Sequence, residues 1–316
     1  MTGAAIMLVA MALEAVLGWP RPLYAAIGHP VTWIGALITG IEKWLNLDDT
    51  GTHARRLSGS VAALAIIGCT AEIVWIVSWL LPDGWLGVLL AGVLAWPLIA
   101  TRSLHDHVRA VSAPLGAGDL DGARSAVAMI VGRDPSRLDE AGVARATLES
   151  LAENTSDGIV APLFWGVIFG LPGIAAYKAI NTLDSMIGHR TPRYEAFGWA
   201  SARIDDVVNL IPARLTGLIF ALASKRRRTA WEVMLRDARH HRSPNAGWPE
   251  AAMAGALNVR LSGPRAYGDR VADEPWVNAG AADPDAFDID RGLRLYRHAM
   301  LALAGVLAVL ALPALI

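Results

Sequence analysis

Apolar residues fall in long runs, separated by polar segments that lengthen toward the end of the chain. Thr2–Leu17 is apolar except for Glu14 and stops at Gly18-Trp19-Pro20. No Lys or Arg precedes it, so it predicts a short first membrane helix rather than a cleaved signal. After Gly28-His29-Pro30, the amphipathic Val31–Leu45 predicts an interfacial helix. Gly59–Leu81, broken only by Glu72, and the uncharged Trp85–Ala100 flank the turn Pro82-Asp83-Gly84 and predict a transmembrane hairpin. Arg55 and Arg56 before it, and Arg102, His105, His107 and Arg109 after it, place both outer ends in the cytoplasm.

Residues 103–157 are polar, with a helical amphipathic stretch over Arg137–Glu153. Gly158–Tyr177 is apolar but interrupted by Gly170-Leu171-Pro172-Gly173, which predicts either one kinked crossing or two half-helices. Val207–Ser224 carries Asn209, Pro212 and Arg214 within its apolar length, and four cations, Lys225–Arg228, close it. A polar segment over 229–297 precedes a last uncharged helix, Ala299–Ile316. The crossings do not alternate cleanly, so broken membrane elements are expected. The pattern predicts an all-α, polytopic membrane protein of about five to six transmembrane or re-entrant helices. It forms one domain over 1–316, with cytoplasmic polar segments near 103–157, 178–206 and 225–297.

Composition supports this reading. Of 316 residues, 54 % are hydrophobic and 18 % charged, below the roughly 25 % charged of soluble domains. A net charge of −1 implies no polyanionic partner, and no nucleic-acid module is present. The single Cys69 cannot form an intrachain disulfide and reads as a small buried hydrophobe. Among the 12 Trp, Trp19, Trp79, Trp85 and Trp199 fall near the ends of apolar runs, as in an interfacial belt.

The chemistry concentrates in Leu148–Arg190, where two polar clusters flank an apolar run. Glu149, Glu153 and Asp157 are spaced i, i+4, i+8, so a helix aligns three carboxylates along one side. Lys178, Asn181 and Asp184 share a side in the same way. Stacked carboxylates repel unless a cation sits among them, which points to a Mg²⁺ or phosphate site near a membrane. In ARIDDVVN, Asp205 and Asn209 lie one turn apart, and Arg214 follows in an apolar stretch. An unpaired guanidinium there costs several kcal/mol, so it should pair with a carboxylate or bind an anion. His240-His241-Arg242-Ser243-Pro244-Asn245 opens a rigid polar turn, for which a solvated loop is the plain alternative. P-loop, GxGxxG, GxSxG and HExxH patterns are absent.

The runs RATLESLAENTSDGIVAPLFW, YKAINTLDSMIGHR, FGWASARIDDVVNLIPARLTG and HRSPNAGWPEAAMAGALNVRLSGP together resemble the CobD/CbiB family of cobalamin biosynthesis, the adenosylcobinamide-phosphate synthases. The resemblance runs over essentially the whole chain. One departure is Trp19, which stands where the family has an acidic residue before Pro20. Such a resemblance implies a multi-pass inner-membrane ligase that consumes ATP and Mg²⁺. It would join a propionate of (adenosyl)cobyric acid to (R)-1-amino-2-propanol or its O-phosphate, beside other late corrinoid-pathway membrane enzymes.

On that basis Asp184, Asp205 and Asp206 are expected as Mg²⁺ ligands, supported by Asn181 or Asn209. Lys178, Arg190, Arg203 and Arg214 would hold phosphates or the corrinoid carboxylate. Glu153 or Asp157 would take a proton from the amine, Asn154 would orient an oxygen, and His189 is an acid/base candidate. His241, Asn245 and Glu250 would line the mouth of the corrinoid or nucleotide site. Two other readings compete: a Mg²⁺-dependent prenyl or phosphoalcohol transferase, and a non-enzymatic transporter or scaffold.

Overall fold

The computed structural model describes residues 3–47, 50–132, 134–267, 270–272 and 274–312. Residue 2 and residues 313–316, the ends of the first and last predicted helices, lie outside the described residues. The chain is all-α apart from two short ribbons. In order, the helices are α1 (Gly3–Leu17), α2 (Arg21–Ile27), α3 (Pro30–Leu45), α4 (Thr52–Trp79), α5 (Gly84–Ala95), α6 (Thr101–Gly116), α7 (Leu120–Val127), α8 (Glu140–Thr155), α9 (Ala161–Ile187), α10 (Trp199–Val208), α11 (Leu210–Ala223), α12 (Arg227–Asp237), α13 (Gly247–Leu257) and α14 (Ala286–Ala311). Strand β1 (Leu261–Ser262) pairs antiparallel with β4 (Trp276–Val277), and β2 (Arg265–Tyr267) with β3 (Arg270–Ala272).

Among the described residues, five stretches are long and apolar enough to cross a membrane: Arg21–Leu45, Thr52–Trp79, Gly84–Gly116, Glu140–Ile187 and Ala286–Ala311. Helices α10 and α11, bent by 46°, make a sixth if they form one span. The predicted hairpin is α4 and α5. Two other expectations change. Helix α1 has 15 residues, short of the roughly 20 a crossing needs. Ala4, Met7, Ala10 and Glu14 on it are buried, so it packs as an internal element. Val31–Leu45 is not merely interfacial: α2 adds apolar length before the Gly28-His29 break, and the combined stretch is only 6 % buried.

Helix starts and breaks follow local chemistry. His29 caps α3: its Nδ1 accepts from the Val31 amide, Thr32 Oγ1 accepts from the His29 amide, and Pro30 takes the first helical position. Helix α9 breaks at Gly170, whose φ of 67° is open to glycine and strained for other residues. A Cβ on Gly173 would lie 2.3 Å from the Trp165 carbonyl oxygen, so the backbone on the two sides of the break is tightly packed. The predicted interruption of Gly158–Tyr177 is therefore a break at Gly170. A π-turn over Ser156–Val160 separates α8 from α9.

The chain divides into two compact units, each drawn from separate stretches of sequence. One comprises Met1–Ala100, Ala161–Asn209 and Val306–Ile316, the other Thr101–Val160 and Leu210–Gly305. In the first unit, Ile38, Ala62, Ala63, Ile66, Ala179, Leu183, Ile187 and Phe197 form a core between α3, α4 and α9. Each fully buried Ile, Leu or Phe there contributes about 1.5–3 kcal/mol. Cys69, expected to be buried, is exposed on α4, because the outward side of this helix is as apolar as its inner side. Trp79 and Trp85 are exposed as a belt would have them. Trp19 instead packs edge-on against Trp96 and His29.

In the second unit α13 packs against α11 and α12, and Tyr296 donates to the Thr101 carbonyl at 2.6 Å. The loop after β4 is clamped by Asp283, which accepts from Arg145 and Arg260 at 2.5 Å each. Both guanidinium groups also lie over the Trp276 ring, at 4.8 and 4.2 Å. The hydrogen bonds from Arg260, joined by the charge of Arg145, hold Asp283 below the ordinary carboxylate value.

Candidate functional site

Within the second unit, the HRSPNAGWPE motif folds around a cavity of about 350 Å³ lined by Arg214, Ala238, Arg239, His241, Ser243, Pro244 and Trp248. The turn holds itself together. Ser243 Oγ accepts from the Asn245 and Ala246 amides at 3.2 Å, while the Ser243 amide donates to His241 Nδ1 at 3.1 Å. With Nδ1 an acceptor, the imidazole is assigned as the Nε2–H tautomer. Its Nε2 lies 3.7 Å from Glu250 Oε1, with the two side chains only 5 % and 3 % exposed. The histidine of this turn is thus a built-in group and not part of a solvated loop. His240 is the exposed member of the pair.

Arg214 was expected to pair with a carboxylate or hold an anion. Among the described residues no carboxylate pairs with it. Its Nη1 donates to the Leu210 carbonyl at 2.6 Å, and its guanidinium lies over Trp248 at 4.5 Å. Arg239 is within electrostatic reach and lines the same cavity. Two cations therefore share one small, partly apolar concavity, an arrangement suited to an anion with an organic tail.

The first unit gathers charge differently. Asp184 lies near the end of α9, within electrostatic reach of His189 and Asp206. Asp206 has Arg203 at 3.5 Å and Arg190 within reach. A Cβ on Gly188 would lie 2.0 Å from Asp184 Oδ1, so the bare glycine makes room for the carboxylate at the helix end. Asp205 accepts from Asn209 Nδ2 at 2.9 Å, and Asn209 Oδ1 accepts from Tyr177 Oη at 2.9 Å. That buried link ties the α10–α11 bend to α9. Asn181 contributes its carbonyl to Ser185, at 2.8 Å. Among the described residues no group of three or more His, Cys, Asp or Glu side chains is placed to hold a metal ion. The expected aspartate trio is therefore brought together as the pair Asp184 and Asp206, with Asp205 engaged by Asn209. Lys178 is within electrostatic reach of His29.

The α8 carboxylates have different surroundings. Glu149 is buried and accepts from the Ser262 amide at 2.8 Å, holding β1, while Glu153 and Asn154 are exposed. Asn154 Nδ2 donates to the Ser150 carbonyl at 2.9 Å. Asp157 falls in the π-turn that follows α8.

Several participants escaped sequence reasoning. Arg239, Ser243 and Trp248 line the cavity; Trp248 lay inside a quoted motif, but nothing in spacing distinguished it from a core aromatic. His29 reads as a helix cap, which it is, and its place near Lys178 is a contact between distant parts of the chain. Trp19, in place of an acidic residue, donates through Nε1 to the Gly28 carbonyl at 3.3 Å and supplies packing rather than charge.

Comparison with known proteins is consistent with the motifs. The family model described as CobD/Cbib protein matches residues 7–296. Relatives include a Cobalamin biosynthesis protein CobD of Rhodobacter capsulatus, 67 % identical over 311 residues and covering 98 % of each chain. Proteins of the same name from a Sinorhizobium species and from Brucella suis are each 46 % identical, covering 97 % and 95 % of this chain and 98 % and 94 % of their own. No solved structure matches. With one family model covering nearly the whole length and such relatives end to end, the chain belongs to the CobD/CbiB family.

Proposed function

We propose that this protein is a membrane enzyme of cobalamin biosynthesis that forms an amide between a propionate of (adenosyl)cobyric acid and (R)-1-amino-2-propanol or its O-phosphate, using ATP. A carboxylate does not react with an amine at neutral pH without activation. Transfer of a phosphoryl group from ATP to the carboxylate releases ADP and makes an acyl phosphate. The amine nitrogen then bonds to the acyl carbon, phosphate leaves, and a proton is lost from nitrogen. The observation that carries this reading is the HRSPNAGWPE cavity, where Arg214 and Arg239 converge beside a buried His241–Glu250 pair. Two guanidinium groups suit phosphate oxygens, and the cavity takes a phosphate-bearing group but is far too small for a corrin ring.

Mg²⁺ needs only one or two carboxylates when water and substrate phosphates complete its octahedron. The pair Asp184 and Asp206 fits that donor set, with Gly188 leaving room beside Asp184. When bound, the ion would neutralise charge on the transferring phosphoryl group. Arg190 and Arg203 would steady phosphate oxygens nearby, and Lys178 would face the corrinoid carboxylate. Glu153 or Asp157 would accept the ammonium proton, with Asn154 orienting an oxygen. His189, exposed at the end of α9, remains an acid/base candidate.

The test is mass-spectrometric detection of the amide after detergent-solubilised protein is incubated with cobyric acid, aminopropanol or its phosphate, and MgATP. Amide with stoichiometric ADP is the expected result; neither product would overturn the reading. A transporter is the second reading, favoured by the helix broken at Gly170 and the 46° bend at Asn209. It would give flux in vesicles without ADP.

A further inference from the structure

Helix α12 has two apolar sides. Ala230, Val233 and Met234 are buried, with Gly255 of α13 packed so closely that a Cβ there would lie 2.8 Å from the Ala230 Cα. Trp231 and Leu235, one turn apart, are instead 43 % and 47 % exposed. Arg227, Trp231 and Leu235 fall at i, i+4 and i+8, so cation and apolar groups share a face. Immediately upstream, Lys225, Arg226, Arg227 and Arg228 are all exposed, and they follow Leu222, exposed at the end of the apolar helix α11. Arg228 is paired with Glu232 at 2.8 Å. Among the described residues no carboxylate pairs with Lys225, Arg226 or Arg227.

We propose that the segment from Leu222 to Leu235 is a binding surface for anionic lipid headgroups. Lys225, Arg226 and Arg227 would meet the phosphates, while Trp231 and Leu235 settle at the boundary with the acyl chains. Charge complementarity selects an anionic surface. The exposed Trp and Leu require an apolar layer beside it, which a nucleic acid or an acidic peptide in water does not offer. Continuity with α11 supplies that layer, since the outward side chains Ile211 and Leu222 of this helix are themselves exposed and apolar. The inference is independent of the ligase reading.

The test uses the full chain in nanodiscs. Cys69 is first changed to Ser, and Trp231→Cys then carries an environment-sensitive fluorophore; a second protein carries it at Met129→Cys, an exposed control position. In discs of phosphatidylcholine with phosphatidylglycerol, the label at 231 should shift to the blue and be quenched by brominated acyl chains, while the label at 129 should not. Neutral discs, 0.5 M NaCl or the variant K225Q/R226Q/R227Q should weaken the effect, by about fivefold in apparent lipid affinity per cation removed. The proposal is overturned if the label at 231 stays as open to aqueous quencher as the control. It is equally overturned if the quenching is the same in neutral and anionic discs, which would leave only an apolar contact.

Discussion

The Asp184–Asp206 cluster and the Arg214 cavity are both built where an apolar helix is interrupted, yet they solve opposite problems. In the first, half-exposed carboxylates sit among exposed cations, Arg190 and Arg203. In the second, the partners are already committed: Arg214 lies over Trp248, and His241 faces Glu250 out of solvent. One site suits a cation that arrives with its own phosphates and waters. The other suits an anion received by a fixed surface. The difference teaches that charge is left open to solvent at the acidic cluster and set against a ring or a buried neighbour at the basic one.

The comparison breaks first at Asp184. Asp184→Asn should lower amide formation at least about 100-fold and raise the Mg²⁺ needed for half-maximal turnover. Unchanged rate and metal dependence would remove the acidic site from the chemistry. Next, Glu250→Ala takes a buried polar neighbour from His241 and should cost about 2 kcal/mol of stability, seen as a lowered unfolding midpoint in detergent. An unaltered midpoint would show the basic site is not preorganised by that pair.

Smaller effects sharpen the contrast. Arg214→Lys keeps the charge but loses the planar stack on Trp248, so KM for the phosphate-bearing substrate should rise about tenfold with kcat little changed. A fall in kcat alone would assign Arg214 to the reacting atoms. The smallest change is Asp283→Asn, about 1 kcal/mol after allowing for solvent screening of a partly exposed group. Because Asp283 is held below its ordinary value, its contribution is present above about pH 4 and lost as pH falls through the depressed value. Denaturation of both proteins across pH should therefore converge in acid; a gap that persisted there would assign the effect to packing on Trp276.

Much of this was legible from residue order. The hairpin of α4 and α5 follows from two apolar runs around Pro82-Asp83-Gly84, and the break in α9 from Gly170 and Pro172. The basic cavity was half legible: His241, Asn245 and Glu250 were singled out, but Arg239 and Trp248 were not, because a cation and an aromatic meet there only through folding. Of the α8 carboxylates, Glu149 accepts from the Ser262 amide, a long-range contact that helical spacing does not show. Cys69 was misread because a lipid-facing residue and a core residue carry the same apolar signature.

Residue order by itself determined that the chain is helical and membrane-embedded, and it carried the motifs that place it in its family, since apolar run length and local turn chemistry are properties of neighbours along the chain. Only the tertiary structure decided how separate stretches gather into two compact units and that Glu149 accepts from the amide of a strand residue. It likewise decided that Asp184 finds Asp206 while Asp205 turns to Asn209. Those outcomes depend on which faces of distant helices meet, and burial and through-space charge act across contacts that no local pattern encodes.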